Sequence, residues 1–405
     1  MKILHINYSD EIGGASIACS RLNRALRNLK INSNILVAKK ISDERFIYSF
    51  NNKFSKFKYN LKRIISRLIT KPYELLNQSN YSISLFRSKL FDENKGIDPS
   101  IINLHWICNE TISLRELNNF KKPIVWTLCD MWPFLGAEHN YLDSKKKKYW
   151  LDEKYLFSKN FDINHFFLKR KIEQLHLDIT IVAISNWIAE KARQSILFKN
   201  KKIVVIPCCL DFDKWAPKNK YVSKKNLNLN FDKKIILFMS SGNTIDKKKG
   251  FDYLLKAIDK LNDKDQYHLL IIGKIHKKHK KNINISFSEI NKLFFGKDEN
   301  LTEIYSASDL LIVPSLIEAF GQVALEAASC KLPTLAFNNT GVTEIILHKE
   351  NGYLANYRDV DDLSSGIEWC LDKKNYNYIS DNAIEYAKKK FSYEVVSQKY
   401  INLYK

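Results

Sequence analysis

Residues 307–355 read ASDLLIVPSLIEAFGQVALEAASCKLPTLAFNNTGVTEIILHKENGYLA. Asp309 to Pro314 is a short apolar run bounded by a polar residue and a proline, Gly321 opens a segment with helical spacing, and Leu332 to Phe337 is a second apolar run. Short apolar runs closed by turn residues predict buried strands, so the order here is strand, loop, helix, strand. Glu318 stands just before the helix and Glu326 stands eight residues later. With the helix starting near Phe320, that interval covers at most ~12 Å of axial rise, the length scale of a sugar, a diphosphate and a ribose side by side. The first turn of a helix leaves N–H groups unpaired and carries roughly half a positive charge, which suits a diphosphate. A carboxylate on either side suits the hydroxyls of a sugar and a ribose, and Gly321 lets a ligand approach the backbone closely.

The stretch resembles the signature of glycosyltransferase family 4, retaining enzymes of the GT-B fold. The residues that carry the likeness are Pro314, Ser315, Glu318, Phe320, Gly321 and Glu326, followed by Pro333, Gly341 and the Asn351-Gly352 turn. The resemblance implies an α/β protein of two Rossmann-like domains facing across a cleft, with Glu318 toward the donor sugar and Glu326 on the ribose hydroxyls. Ala319, Phe320 and Gly321 would belong to the same donor site. The expected division is an acceptor-side domain over 1–215, a nucleotide-sugar domain over 216–385, and a C-terminal helix over 386–405 that crosses back to the first domain.

A chain of 405 residues, 45% hydrophobic and 27% charged, has room for two soluble globular domains of ordinary size. The N-terminal apolar run is too short for a signal peptide and no stretch of about 18 apolar residues occurs, so a cytoplasmic location is expected. Cysteines 19, 108, 129, 208, 209, 330 and 370 are odd in number and contain no Cys-x-x-Cys pair, which argues for reduced thiols rather than a disulfide framework or a structural zinc. The formal charge of +21 invites a nucleic-acid partner. No zinc finger, aromatic RNA-binding signature or helix-turn-helix accompanies it, so no nucleic-acid partner is expected, and an anionic membrane surface or anionic substrates explain the charge at least as well.

Taken in order, Lys2 to Asn7 predicts a first strand, and Gly13-Gly14 follows before an amphipathic helix. That turn fits a phosphate or sugar loop as well as a plain strand-to-helix connection; relatives in the family carry a Gly-Gly loop there. Between Glu44 and Glu74 there are eight basic residues and no acidic one, with Phe54, Phe57, Leu61, Ile64 or Ile65, and Leu68 at helical spacing. Such a helix either lies on an anionic bilayer or packs on its own domain with a solvated basic face. Ile101 to Ile107 and Pro123 to Leu128 read as buried parallel strands, whose C-terminal loops are where α/β proteins place ligands.

The loop CDMWPFLGAEHNY after the second of these resembles a family pattern, Thr-Leu-His-Asp-Met-Trp-Pro-Phe, of enzymes that build bacterial surface polysaccharides. Cys129 replaces the family histidine, so His139 is a candidate for its role, with His105, Asp130 and Glu138 as further acceptor-side candidates. Asp130 also suits a simple turn cap. Asp211-x-Asp213 has metal-binding spacing but sits just past a strand near the expected boundary, and no metal is assigned to it.

Lys218 to Lys233 is polar and weakly periodic, as a linker would be. A second Rossmann-like unit then opens with KKIILFMSS. In the following loop Lys247, Lys248 and Lys249 precede Gly250 and a helix, a placement that can neutralise a leaving diphosphate. Lys249-Gly250 matches the family's Lys-Gly; no arginine follows Gly242 in this loop, so Lys247 or Lys248 would substitute. His268 to Gly273 predicts the next strand, KKHKKNIN a solvated tip, and residues 293–309 resemble the family's approach to the signature.

The function so implied is metal-independent transfer of a hexose, with retention, from a UDP- or GDP-linked sugar to a hydroxyl of a lipid-linked glycan in surface polysaccharide synthesis. Glu318, Lys249 and His139 would be the catalytic set. Two rivals have other signatures: an epimerase of the same fold would turn over donor without acceptor, and a basic lipid- or polyanion-binding protein would show no donor affinity.

Overall fold

The structure is a computed structural model that describes residues 1–77, 79–141, 149–151, 162–175, 178–290 and 298–405. Two compact units form: Met1–Pro207 with Ser397–Lys405, and Cys208–Val396. The first carries strands β1 (Lys2–Ser9), β2 (Asn32–Lys39), β3 (Ile47–Tyr48), β4 (Ile101–Leu104), β5 (Ile124–Leu128), β6 (Ile179–Ala183) and β7 (Ile203–Val205). Its helices are α1 (Gly14–Asn28), α2 (Lys53–Asn77), α3 (Leu114–Leu117), α4 (Ile163–Gln174) and α5 (Asn186–Gln194). The second unit carries β8 (Lys234–Asn243), β9 (Tyr267–Lys274), β10 (Ser286–Ile290), β11 (Leu310–Val313), β12 (Thr334–Phe337) and β13 (Gly352–Ala355). Helices α6 (Lys220–Asn226), α7 (Phe251–Asp259), α8 (Lys277–Lys280), α9 (Asp298–Ala307), α10 (Gln322–Ser329), α11 (Val360–Leu371) and α12 (Lys373–Phe391) surround it, and α13 (Tyr393–Tyr404) ends in the first unit.

The two sheets are parallel and have the order β3-β2-β1-β4-β5-β6-β7 and β10-β9-β8-β11-β12-β13. In both, the chain builds outward from one strand in one direction and then reverses, which puts the switch point beside β1/β4 and β8/β11. Strands β5, β11 and β12 are buried along their whole length, as strands covered on both faces must be. An open parallel sheet leaves a crevice beyond the carboxyl ends of the strands at its switch point, and ligands of such sheets bind there. In the second unit the loops that meet at this point are residues 244–250 and 314–321.

Three expectations need correction. The division between units falls before 215/216, because Leu210 N donates to Phe391 O (2.9 Å) and the Trp215 ring packs at a tilt beside Tyr305, centroids 6.2 Å apart. At the other end, Ser397–Lys405 joins the first unit through Asn103 Nδ2, which donates to Tyr404 OH (2.6 Å), and through Tyr400 OH, 3.3 Å from Thr127 Oγ1. The linker contains α6: Asn219 caps it by accepting from Val222 N (3.0 Å), and Lys220 and Lys224 both reach Asp309. The solvated tip contains α8, anchored by the buried His279, whose ring nitrogens lie 2.9 Å from Thr244 Oγ1 and 3.0 Å from Asp252 Oδ1. The family-like approach over 293–309 falls partly outside the described residues, at 293–297.

The helix over the basic stretch, α2, does form, but it packs in the opposite sense to an ordinary amphipathic helix. Tyr59, Ser66 and Thr70 are its buried residues, while Phe54, Phe57, Leu61, Ile64 and Leu68 are all exposed.

Gly250 locks the second switch point. Its φ of 68° is in the left-handed region, and a Cβ there would lie 1.8 Å from the Pro314 carbonyl oxygen. Gly250→Ala is therefore expected to cost more than about 2 kcal/mol of unfolding free energy, from backbone strain and the displaced strand end together. Urea denaturation measures it; an unchanged midpoint would mean that the two loops are not held in contact.

Candidate active site

The loop after β8 turns through Lys247–Lys249, a single 3-10 turn capped by Asp246, whose side chain accepts from Lys248 N (3.1 Å). Leu316 N donates to Lys248 O (2.7 Å), and Gly341 N donates to Glu318 O (2.7 Å). The loop after β11 is thus fixed by backbone bonds on both sides. Tyr357 OH adds a third, donating to Leu316 O (3.1 Å).

These constraints bring Lys249 and Glu318 together. Lys249 Nζ donates to Glu318 Oε2 at 2.9 Å, and Ser315 Oγ lies 3.5 Å from the same oxygen. The two side chains remain 31% and 19% exposed, so the pair faces a surface that a ligand can reach. The Glu318 carboxylate raises the Lys249 ammonium above the ordinary lysine range, burial opposes the shift, and the hydrogen bond to Glu318 adds to it. Lys249 is accordingly a fixed cation throughout the neutral range. It has three N–H donors and spends one on Glu318.

Helix α10 follows directly, with Gly321 as its N-cap at φ 98° and no side-chain cap. The N-terminal end of α10 therefore lies only a few residues along the chain from the ion pair. Glu326, on α10, is buried, and its Oε2 accepts from Tyr305 OH at 2.7 Å. Phe320 departs from its expected role: its side chain is buried edge-on to Phe391 (5.7 Å), so only its backbone is placed for a ligand. Lys248 leans toward Asp246 (4.0 Å), whereas Lys247 is exposed. Lys247 lines a cavity of about 450 Å³ together with Lys256, Lys278, Asp252, Tyr253 and Leu316. That cavity adjoins the lysine turn but is not lined by Glu318 or Glu326.

In the first unit the loop after β1 ends in Gly13, the N-cap of α1, and Gly14 is the first helical residue. Asp10 fixes this loop: its carboxylate accepts from Ile41 N (2.9 Å), Ser42 N (2.8 Å) and Ser42 Oγ (2.7 Å). The loop after β5 is organised by Asp130, which accepts from Trp132 N (3.0 Å), Trp106 Nε1 (2.8 Å) and His139 Nδ1 (2.7 Å).

His139 is enclosed by its loop rather than open to solvent. It is buried between Trp106 and Trp132, stacked at 5.3 Å and 6.5 Å, and its Nε2 is 2.9 Å from Ser82 Oγ. A carboxylate only accepts, so Nδ1 donates to Asp130 and both ring nitrogens are engaged. Glu138 is likewise buried, and Tyr149 OH donates to its Oε1 (2.8 Å).

His105 is buried as well. It is 3% exposed, with Nε2 2.9 Å from His5 Nδ1, and His5 Nε2 is 3.1 Å from Ser33 Oγ. Among the described residues, His5, Cys19 and His105 form one group with the spacing to hold a metal ion, their ligand atoms within 4.8 Å of one another. Burial pushes His5 down to about 3, pushes His105 well below the usual imidazole range and pushes the Cys19 thiol up. All three are neutral core groups, with the imidazoles already hydrogen-bonded to each other. Asp211, one half of the Asp-x-Asp pair, caps its own turn by accepting from Asp213 N (3.2 Å) and Lys214 N (3.3 Å).

Tyr305 and Ser82 were not singled out from the sequence, because they meet Glu326 and His139 only through the fold. Lys171 did leave a signal, because it follows Ile163 and Phe167 at steps of four and so falls on the buried face of α4. Its Nζ donates to the carbonyls of Trp132, Leu135 (2.9 Å) and Gly136 (2.7 Å) and lies over the Trp132 ring at 3.8 Å. Burial brings its pKa down to about 7, against the pull of Cys108 and Asp130.

An unfolded lysine keeps its proton to about pH 10.4, so between about 7 and 10 the unfolded chain binds more protons and the folded state gains stability as pH rises. Measured by urea denaturation, the stability of wild type relative to Lys171→Met should rise from pH 7 to pH 9. A difference that does not change with pH would contradict this assignment.

Residues 219–390, which include the lysine turn, both glutamates and α10, match the model of the family described as glycosyl transferases group 1. The capsular polysaccharide biosynthesis glycosyltransferase CapM of Staphylococcus aureus is 25% identical over 239 residues, 55% of this chain and 60% of that protein. The chain spans only part of the length of the curated relatives it matches, 49%, 58% and 61% for three of them. Similarity to solved structures extends over the whole chain. Sucrose-phosphate synthase from Thermosynechococcus elongatus has a TM-score of 0.69 at 17% identity, covering 100% of this chain and 98% of that one. HepE of Anabaena, solved in complex with UDP-glucose, has a TM-score of 0.63 at 15% identity, with 100% and 99% covered. At these identities the likeness establishes the fold: two parallel-sheet α/β units, as in GT-B glycosyltransferases.

Proposed function

We propose that the protein is a retaining glycosyltransferase that moves a hexose from a nucleoside-diphosphate donor to a hydroxyl of a lipid-linked glycan in bacterial surface polysaccharide synthesis. The observation that carries this reading is the Lys249–Glu318 pair, 2.9 Å apart at the switch point of the second unit and followed immediately by the start of α10. The match of residues 219–390 supports the reaction class, the UDP-glucose bound to HepE supports a nucleotide-sugar donor, and the capsular polysaccharide role of CapM supports the polysaccharide setting.

As the glycosidic bond to the diphosphate breaks, negative charge grows on the diphosphate and positive charge on the sugar ring. The N–H groups of Lys249 not spent on Glu318 are donors for the diphosphate, with exposed Lys247 and the N-terminal end of α10 beside them. Held rigidly before the reaction begins, such groups stabilise the transition state without the cost of reorienting. Glu318, oriented by Lys249 and Ser315, presents a carboxylate to the donor sugar and offsets charge on the ring. Glu326 takes the ribose hydroxyls by exchanging part of its contact with Tyr305. In this scheme leaving-group charge is met by lysine and backbone, with no metal. In the first unit Asp130 shapes the acceptor-side loop, and His139 positions it rather than exchanging protons.

The test follows release of nucleoside diphosphate from UDP- or GDP-sugars in the presence of a lipid-linked glycan acceptor. Glu318→Ala and Lys249→Ala are each expected to lower kcat by about 10²–10³, because one lost charge-stabilising contact of this kind costs roughly 2.7–4 kcal/mol. His139→Gln, which preserves size and hydrogen bonding, is expected to cost far less. Full turnover in both site variants would remove the assignment, and sugar turnover without acceptor would favour an epimerase.

A further inference from the structure

Helix α2 turns its apolar side outward. Over 25 residues, or about 37 Å of helix, it is tied to the first unit by hydrogen bonds and by the rings of Tyr59 and Tyr73, which lie 5.1 Å from Phe50 and 6.2 Å from Tyr81. Tyr59 OH donates to Asn109 O (2.8 Å), Ser66 Oγ to Glu110 Oε1 (2.8 Å) and Arg63 Nη1 to Tyr8 OH (2.7 Å). Those three residues share one arc of the helix. The opposite arc carries Phe54, Phe57, Leu61, Ile64 and Leu68, which are 61%, 64%, 50%, 54% and 68% exposed. Ile65, Ile69, Leu75 and Leu76 widen the same stripe and are exposed as well. A helix of a soluble domain ordinarily buries its apolar stripe and leaves its polar side to water. A contiguous exposed apolar surface of this size marks an interaction face.

Charge identifies what covers it. No acidic residue occurs between Glu44 and Glu74, and exposed Lys53, Lys56, Lys58, Arg67 and Lys71 border the stripe. We infer that α2 is the surface by which the protein seats on an anionic lipid bilayer, its apolar arc in the boundary between headgroups and acyl chains and its basic flanks among the headgroups. An amphipathic helix with Lys and Arg beside Phe, Ile and Leu binds in that manner, lying in the plane of the interface about 5–10 Å deep. Basic side chains near the surface add attraction that fades within a Debye length. A second copy of this chain is a poorer occupant, since a symmetric pairing sets each basic border against its own like. The inference stands on α2 alone and does not rest on the transferase reading.

The experiment is flotation of the full chain with vesicles of phosphatidylcholine alone or mixed with phosphatidylglycerol, at low and high salt. Two triple variants use exposed positions: Phe57→Ser with Leu61→Ser and Leu68→Ser, and Lys56→Glu with Lys58→Glu and Arg67→Glu. Circular dichroism and an unchanged melting temperature establish that both fold. Wild type is expected to float with mixed vesicles, and binding to phosphatidylcholine alone should be weaker by about tenfold or more. The apolar triple should lose binding at every salt concentration, and the charge-reversed triple should lose its preference for phosphatidylglycerol. Three results would overturn the inference: wild type that fails to float, binding indifferent to both triples, or a wild-type dimer that the apolar triple converts to monomer without any vesicle. The last would show that a second copy covers the face.

Discussion

Gly250 and the carbonyl of Pro314 occupy space that no side chain can share, and the second unit is arranged around that contact. It joins the loop after β8 to the end of β11, the two strands at which the sheet order reverses. The bond from Leu316 N to Lys248 O closes the same junction one step further on. Once backbone has met backbone there, Lys249 and Glu318 project from adjacent loops, and their ion pair needs no adjustment to form. The chemistry attributed to this unit is therefore a consequence of a steric fit between main chains, with the charged side chains placed by it.

Much of this was legible in residues 307–355, because parallel strands buried on both faces appear as short apolar runs closed by proline or glycine. Glu318 and Gly321 stand beside such runs, whereas Lys249 lies outside this stretch and was set apart from Lys247 and Lys248 only by its likeness to the family's Lys-Gly. What could not be read were contacts between residues distant in the chain. Nothing near Glu326 points to Tyr305, and nothing near His139 points to Ser82. The polar runs over 218–233 and 277–284 looked unstructured by composition, yet Asp309 draws α6 into place and His279 pins α8. Single buried partners of this kind override the local polarity that suggests a loop.

The first unit shows the opposite balance. Its polar residues are spent on each other: Asp130 on two tryptophans and a histidine, His105 on His5, Glu138 on Tyr149. His139, a candidate from its place in the loop after β5, is buried with both ring nitrogens bonded, within the scaffold that shapes that loop. Lys171 completes that scaffold from α4 by gathering three carbonyls. The reactive candidates on this side reduce to the loop surface that these residues hold, while α2, with its apolar side outward, gives the unit an orientation toward its surroundings.

The central claim is that the Lys249–Glu318 junction and α10 hold a nucleoside-diphosphate sugar. Ligand that binds only the folded state raises the melting temperature by mass action, so a thermal-shift titration with UDP- and GDP-sugars, with and without a chelator, addresses it directly. The expected result is a rise with one nucleotide series that survives the chelator and disappears in Lys249→Ala and Glu326→Ala. No rise with any donor, or a rise unaltered in both variants, would contradict the assignment of the site.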